Sequence, residues 1–143
     1  MTLSAHPAPH SARDQALATR VEERLLASGD YLTFAQVADH LGGSPAAVAA
    51  QITQWVQAGQ VFTLVLDGAA RVPRYALAGL HPHPGLAPVL HLLAPRKSGL
   101  QLAAWFDSAC GFLGGRRPRD LLATEPAQVR AAAQDERIGP VHG

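Results

Sequence analysis

Two helix-start signatures lie close together in the chain, at Thr33 and at Ser44. Thr33 is followed three residues later by Gln36, which makes a capping box, and Ser44 precedes a proline that suits the first position of a helix. Gly42 lies between the two signatures, where glycine ends a helix at little steric cost. The sequence therefore predicts two short helices joined by a tight turn.

The spacing around this turn is typical of a helix-turn-helix. Ala38 stands four positions before Gly42, and Val48 follows six positions after it. Alanine lets two helices cross closely, glycine adopts the left-handed turn conformation, and valine closes a small core. The pattern favours a helix-turn-helix, although a plain three-helix core satisfies the same spacing.

A further helix is expected before this motif and a β-hairpin after it. Ser11 begins a capping box for a helix over 12–28. The apolar run VFTLVL is joined by Asp67-Gly68, a strong hairpin signal, to the run AARVPRYAL. Pro73 in the second run has no amide donor, so we expect that strand to lie at a sheet edge or to break there.

The expected fold is mainly α, with an N-terminal winged helix-turn-helix of three helices plus a β-hairpin and a small all-helical C-terminal domain. The segment LHPHPGLAP alternates proline with histidine, which is typical of a linker and places a boundary near residue 81. Helices are then predicted over Leu86–Leu93 and Gly99–Ser108, with short ones starting near Pro118 and after Thr124. The predicted division is a disordered tail 1–10, a winged helix-turn-helix-like domain 11–79, a linker 80–88 and a helical domain 89–143.

The second helix of the motif would present a nearly uncharged face to a major groove. With Val48, Ile52 and Trp55 turned inward, mostly small and amide side chains turn outward. Gln54 can bond adenine bidentately and alanines can touch thymine methyls, but nothing there binds guanine as arginine does. The predicted DNA-facing residues of this helix are Ser44, Ala46, Ala47, Ala50, Thr53, Gln54 and Gln57.

Positive charge is scarce beside this face. The net charge is +1, and no lysine or arginine occurs between Arg24 and Arg71. Phosphate contacts are therefore assigned to Ser44, to the helix N-terminus, and to Arg71 and Arg74 in the hairpin. So few cations predict modest, salt-sensitive binding, which leaves open weak binding, binding with help, or a role in oligomerisation.

A second motif lies in WFDSACGFLGGRRPRDLLATEPAQVRAAA, residues 105–133. Aromatic residues anchor a helix, Gly114-Gly115 makes a turn, Pro118 starts a helix with two leucines, and Thr124 caps another. A compact helical subdomain accounts for the same pattern. The arginines in GGRRPRD suggest a charged contact with a partner, although a solvated charge run is the ordinary explanation.

This stretch resembles the toxin-binding domain of the Xre/MbcA/ParS antitoxin family, in which an aromatic helix precedes a Leu-Gly-Gly-Arg-x-Pro turn and a Leu-Leu helix. The resemblance implies a dimeric antitoxin that masks a protein toxin, of the RES type before others, and represses its own operon by binding operator DNA. Arg116 alternatively caps a neighbouring carbonyl. The predicted partner-binding residues, from the motif and from its charge run, are Trp105, Leu113, Arg116, Arg117, Arg119 and Leu122.

Other classes of function find little support in the sequence. Cys110 is expected to be a buried, inert thiol, and a chain with one cysteine and no apolar leader suits a reducing cytoplasm without a membrane. His81, His83 and His91 lack acidic or cysteine companions, so we predict no metal, no cofactor and no enzyme. Beside the antitoxin, the alternatives are an orphan, weakly DNA-binding transcription regulator and a protein-interaction adaptor that does not bind DNA; in each case a homodimer is expected.

Overall fold

A computed structural model of the chain describes residues 12–138, so the predicted tail 1–10, the cap at Ser11 and the last five residues lie outside the described part. The described part is mainly helical with small β-sheets, as predicted. The helices are α1 Ala12–Ser28, α2 Phe34–Leu41, α3 Pro45–Gln57, α4 Leu86–Leu93, α5 Gly99–Phe106, α6 Pro118–Leu121 and α7 Pro126–Ile138. The strands are β1 Tyr31–Thr33, β2 Leu64–Leu66, β3 Ala69–Pro73, β4 Leu77–Ala78 and β5 His81–Pro82.

The turn between α2 and α3 forms through the predicted caps. The Thr33 hydroxyl accepts a hydrogen bond from the Gln36 amide at 3.2 Å, and the Gln36 side chain accepts one from the Thr33 amide at 2.8 Å. The Ser44 hydroxyl accepts from the Ala47 amide at 3.1 Å. Gly42 has a φ of 84°, a conformation that glycine adopts without strain. The capping box, the cap at Ser44 and the positive φ of Gly42 are thus confirmed.

The predicted hairpin belongs to a three-stranded antiparallel sheet. Its strand order is β1-β3-β2, and Asp67 and Gly68 both have positive φ at the tip, as a two-residue hairpin turn requires. Of the two alternatives for Pro73, the break is observed: β3 ends there and a short 3-10 turn, Arg74–Ala76, follows. Pro73 does not lie at a sheet edge, because Tyr31 of β1 pairs with it and β3 is the central strand.

The segment 80–88 is folded against the rest of the molecule, where an extended linker was expected. The chain reverses at Gly79, so that β4 and β5 pair and Leu77 faces Pro82. The His83 amide then donates to the Ala76 carbonyl at 2.8 Å. The first turn of α4 follows at once with Leu86 fully buried. The prolines therefore shape a hairpin and a helix start here.

Residues on both sides of the predicted boundary share one hydrophobic core. The ring of Phe62 stacks on that of Phe106 with centroids 5.9 Å apart. The start of α5 approaches β2 so closely that a Cβ on Gly99 would overlap the Thr63 carbonyl oxygen. The N-terminal half, 12–79, and the C-terminal half, 80–138, are thus packed together rather than tethered.

None of the helices in residues 12–138 combines the length and the apolar composition that crossing a bilayer requires.

Candidate functional site

The outer face of α3 has the composition predicted from the sequence. Ile52 is buried, and Val48 and Trp55 are partly buried against the core. We call the opposite, solvent-exposed side the reading face. Its residues are Ala46, Ala47, Ala50, Thr53, Gln54 and Gln57, and all six are exposed.

Hydrogen bonds within α3 leave the side-chain amide nitrogens of Gln54 and Gln57 available on the reading face. The Thr53 hydroxyl donates to the Ala49 carbonyl at 2.8 Å, which ties it to its own helix. The Gln54 carbonyl oxygen accepts a long bond of 3.4 Å from Gln51. The Gln54 amide nitrogen has no partner within residues 12–138. A donor and an acceptor on one side chain are what bidentate recognition of adenine requires.

The start of α3 offers further donors. The Ser44 oxygen is occupied as an acceptor by the Ala47 amide, which leaves its hydroxyl proton free to be donated outward. Pro45 has no amide hydrogen, and the Ala46 amide lies in the first turn, where backbone donors have no helical acceptor. This end of α3 therefore suits an anionic oxygen.

Arg71 and Arg74, the predicted phosphate contacts, are engaged within the protein. Arg71 is partly buried, and its guanidinium donates to the carbonyls of Leu66 at 3.3 Å and Tyr31 at 3.2 Å. Arg74 donates to the Gly29 carbonyl at 3.4 Å and lies 3.7 Å from a carboxylate oxygen of Asp30. Both arginines hold the sheet to its neighbours in this structure. Neither is an uncommitted cation beside the reading face.

Two of the predicted partner-binding residues, Leu113 and Leu122, lie in the core and need correction. Both are essentially inaccessible to solvent, because the short turn Gly111–Leu113 and α6 pack against α7. Trp105 is partly buried and packs edge-on against Phe106 with centroids 5.0 Å apart. The apolar motif residues thus build the C-terminal half. Phe112, which the sequence did not single out, is 55% exposed in the same turn.

Arg116 and Arg117 form ion pairs at the surface of this half. Arg116 donates to the Leu113 carbonyl at 3.0 Å, as its alternative interpretation predicted, and to a Glu125 carboxylate oxygen at 3.2 Å. Arg117 bonds Asp120 at 2.9 Å and Asp107 at 3.1 Å. Arg116 and Arg117 remain accessible enough to contact a partner, but their charge is already balanced.

Arg119 is instead the centre of a partly buried network. Its guanidinium donates to Asp107 at 2.9 Å and to Asp30 at 2.8 Å, and lies 5.1 Å from the centre of the Tyr75 ring. Burial alone lowers the pKa of Arg119, but the hydrogen bonds to the two carboxylates outweigh it and the pKa is raised. No local pattern reveals this network, since Asp30 and Arg119 are far apart in the sequence.

An apolar groove of about 690 Å³ lies between the end of α3 and α4. Its lining includes the apolar residues Val56, Phe62, Leu90 and Pro95 and the imidazole ring of His91. On α3 its lining begins at Val56, beyond Gln54, and includes no residue of the reading face. The groove is therefore separate from that face.

The histidines that the sequence analysis set aside are not gathered into a site. Within residues 12–138 no three His, Cys, Asp or Glu side chains come together as a metal-binding group. His83 has a structural task, because its Nδ1 accepts a hydrogen bond from the Gly85 amide at 3.0 Å. Cys110 is only partly buried.

Comparison with known proteins shows a likeness of fold. The NMR structure of Rv2175c matches with a TM-score of 0.58 and 19% sequence identity, over 73% of this chain and 78% of that chain. No protein-family model matches the sequence. No curated protein matches it either. At this identity the match relates the two folds and carries no residue roles.

Proposed function

We propose that the chain is a winged helix-turn-helix DNA-binding regulator in which α3 reads the major groove and the β2–β3 hairpin is the wing. The exposed reading face of α3 carries this proposal. All six of its side chains are exposed, and none makes a hydrogen bond to another element within residues 12–138. Small exposed residues on a firmly capped helix let its backbone approach base edges closely.

The chemistry of the reading face favours A·T-rich sites. Gln54 offers its amide to the N6 and N7 positions of adenine, while Ala46, Ala47 and Ala50 meet thymine methyl groups. The Ser44 hydroxyl and the Ala46 amide would bind a phosphate and fix the register of α3. A cytoplasmic homodimer bound to two half-sites would double these contacts.

Selection from a randomised duplex library tests this function. We expect enrichment of a motif containing adenine and thymine, and we expect Gln54→Ala to lower discrimination at one position by about tenfold. Gln134→Ala, at an exposed position of α7, is the matched control and should leave the motif unchanged. Failure of the wild-type protein to enrich any motif at low salt overturns the proposal.

A second candidate, antitoxin activity, is favoured by the exposed turn at Phe112. Phe112 is 55% exposed in the turn that leads to Arg116, and aromatic and arginine side chains are the usual anchors of protein interfaces. In this hypothesis the turn binds a protein toxin of the RES type, and DNA binding represses the shared operon. The test is co-purification with a RES-type protein encoded beside the gene, with Phe112→Ala expected to weaken the complex and Gln134→Ala to leave it intact. If the neighbouring toxin binds the Phe112→Ala variant as tightly as the wild-type protein, this candidate function is contradicted.

A further inference from the structure

The cations that can meet a polyanion are not those that the sequence pattern suggested. All twelve lysine and arginine residues lie within residues 12–138. The arginines of the hairpin and of the segment GGRRPRD are bound to carbonyls or carboxylates, as is Lys97. Arg96 donates to the Arg137 carbonyl. Among the described residues, the guanidinium groups without an ion pair or hydrogen bond are those of Arg13, Arg20, Arg24, Arg130 and Arg137.

Three of these five lie on one face of α1. Arg13, Arg20 and Arg24 are separated by seven and four residues, and both intervals return to the same side of an α-helix. With a rise of about 1.5 Å per residue, the second and third stand about 6 Å apart and the first about 10 Å further along. We call this row the arginine stripe. Glu22 falls on the opposite side of the helix, and Glu23, three residues after Arg20, borders the stripe on one side.

The guanidinium groups of the arginine stripe make no hydrogen bond or ion pair within residues 12–138, and Arg24 lines a small cavity between α1 and α5 beside Asp107. Leu25, near the end of α1, is the buried residue of this helix, and the three arginines are exposed. Arg13 and Arg20 flank a shallow depression over Ala16 and Leu17. The surface between Arg13 and Arg20 is therefore formed by small and apolar side chains.

We propose that the arginine stripe of α1 binds the DNA phosphate backbone and supplies the charge that the reading face lacks. Guanidinium groups present a planar fork that matches phosphate oxygens, and a linear array of them suits the regularly spaced charges of a duplex. The inference rests on the proposed DNA-binding function. It assigns recognition to α3 and most of the electrostatic attraction to α1.

Salt-dependent binding to the enriched duplex, followed by fluorescence polarisation, tests the stripe. The variant Arg20→Gln with Arg24→Gln removes two of its charges at exposed positions, so the fold should be retained. We expect the slope of log K against log salt to fall in magnitude by about 0.9 for each arginine–phosphate pair removed, and binding to weaken on the order of tenfold or more at about 0.15 M salt. The control Arg130→Gln with Arg137→Gln makes the same change in net charge on α7 and should alter neither quantity.

The outcomes separate the stripe from the proposed function itself. If the wild-type protein binds no duplex, the proposed DNA-binding function is wrong. If the wild-type protein binds DNA but the α1 and α7 variants lose affinity equally, the assignment of phosphate binding to the arginine stripe is wrong, and the proposed DNA-binding function stands. Sedimentation of the α1 variant completes the test, because a change in oligomeric state would make the stripe a surface between copies of this chain and overturn its assignment to DNA.

Discussion

The guanidinium of Arg119 joins the two halves of the chain, with its Nη2 atom 2.8 Å from Oδ2 of Asp30 and its Nη1 atom 2.9 Å from Oδ1 of Asp107. Asp30 precedes β1 in the N-terminal half, whereas Arg119 and Asp107 belong to the C-terminal half. The Arg119 side chain is only 12% exposed. Its removal would therefore take from Asp30 and Asp107 the one cation that they share across the junction of the halves, and leave each with a single, more exposed arginine.

Arg119→Met is expected to lower the free energy of unfolding by about 2 kcal/mol, because Asp107 then keeps only its bond to Arg117 and Asp30 only the 3.7 Å contact with Arg74. Urea unfolding measures the loss, provided that the dependence of the unfolding free energy on urea concentration is the same for the variant and the wild type. Arg117→Met is the control, since Arg117 is 44% exposed and should cost less than about 1 kcal/mol. Equal losses in the two variants would contradict the structural importance of the Arg119 network.

Gly99→Ala is expected to destabilise the protein by about 1–3 kcal/mol, because the added Cβ would meet the Thr63 carbonyl oxygen and push α5 away from β2. Thermal unfolding measures the shift in Tm. Gly111→Ala is the matched control, since no atom lies within 4 Å of a Cβ there and its φ is not positive. A Tm for Gly99→Ala equal to that of the control would mean that the halves are not closely packed.

Stability is expected to fall above pH 10 through the paired tyrosines. The Tyr31 and Tyr75 hydroxyls lie 3.1 Å apart, and burial raises the pKa of Tyr31 to about 12. Tyrosines of the unfolded chain ionise near pH 10. Between about pH 10 and 12 the unfolded chain therefore releases a proton that the native state retains, so this stabilisation is complete below pH 10 and is lost as the pH rises.

The expected loss at Tyr31 is on the order of 1 kcal/mol by about pH 11, measured by urea unfolding at a series of pH values. Tyr31→Phe should show a shallower decline, because Tyr75 alone then contributes. Tyrosinate absorbance gives an independent check. Ionisation of both tyrosines near pH 10 in the folded protein would be incompatible with the buried pair.

Asp67→Asn is expected to strengthen DNA binding several-fold, because it removes a negative charge from the tip of the hairpin. Asparagine tolerates the positive φ of 52° at this position, so the turn should persist. Polarisation titrations at low salt measure the change. Asp135→Asn on α7 makes the same charge change elsewhere and should have little effect on DNA binding. Equal gains in affinity from the two variants would mean that Asp67 acts only through the net charge of the protein and not through its place in the wing.

Local signals predicted the helices well. The bounds 12–28 and Leu86–Leu93 agree with α1 and α4, because caps, proline and apolar spacing act within a few residues. The exposure of the reading face followed from the same spacing. β1 was missed because it has three residues and is a strand only through its pairing with β3.

Long-range packing accounts for what the sequence could not predict. The pattern HPHPG indicated a linker, but its prolines fit a hairpin that packs on the core. Leu113 and Leu122 matched a partner-binding motif, yet their burial depends on α7, which folds over them. The pairing of Arg119 with Asp30 likewise depends on the docking of the two halves. Whether an arginine is free to contact a partner depends on the tertiary structure. The distribution of arginines along the chain therefore pointed to the hairpin and the segment GGRRPRD, where the side chains are already bonded.

Amide chemical-shift mapping of the full chain, titrated with its enriched duplex, tests the DNA-binding account most directly. The account predicts the strongest perturbations at the start and reading face of α3, from Ser44 to Gln57, with further changes along α1. Perturbations confined to the turn around Phe112 and Arg116, or none at saturating duplex, would contradict recognition by α3.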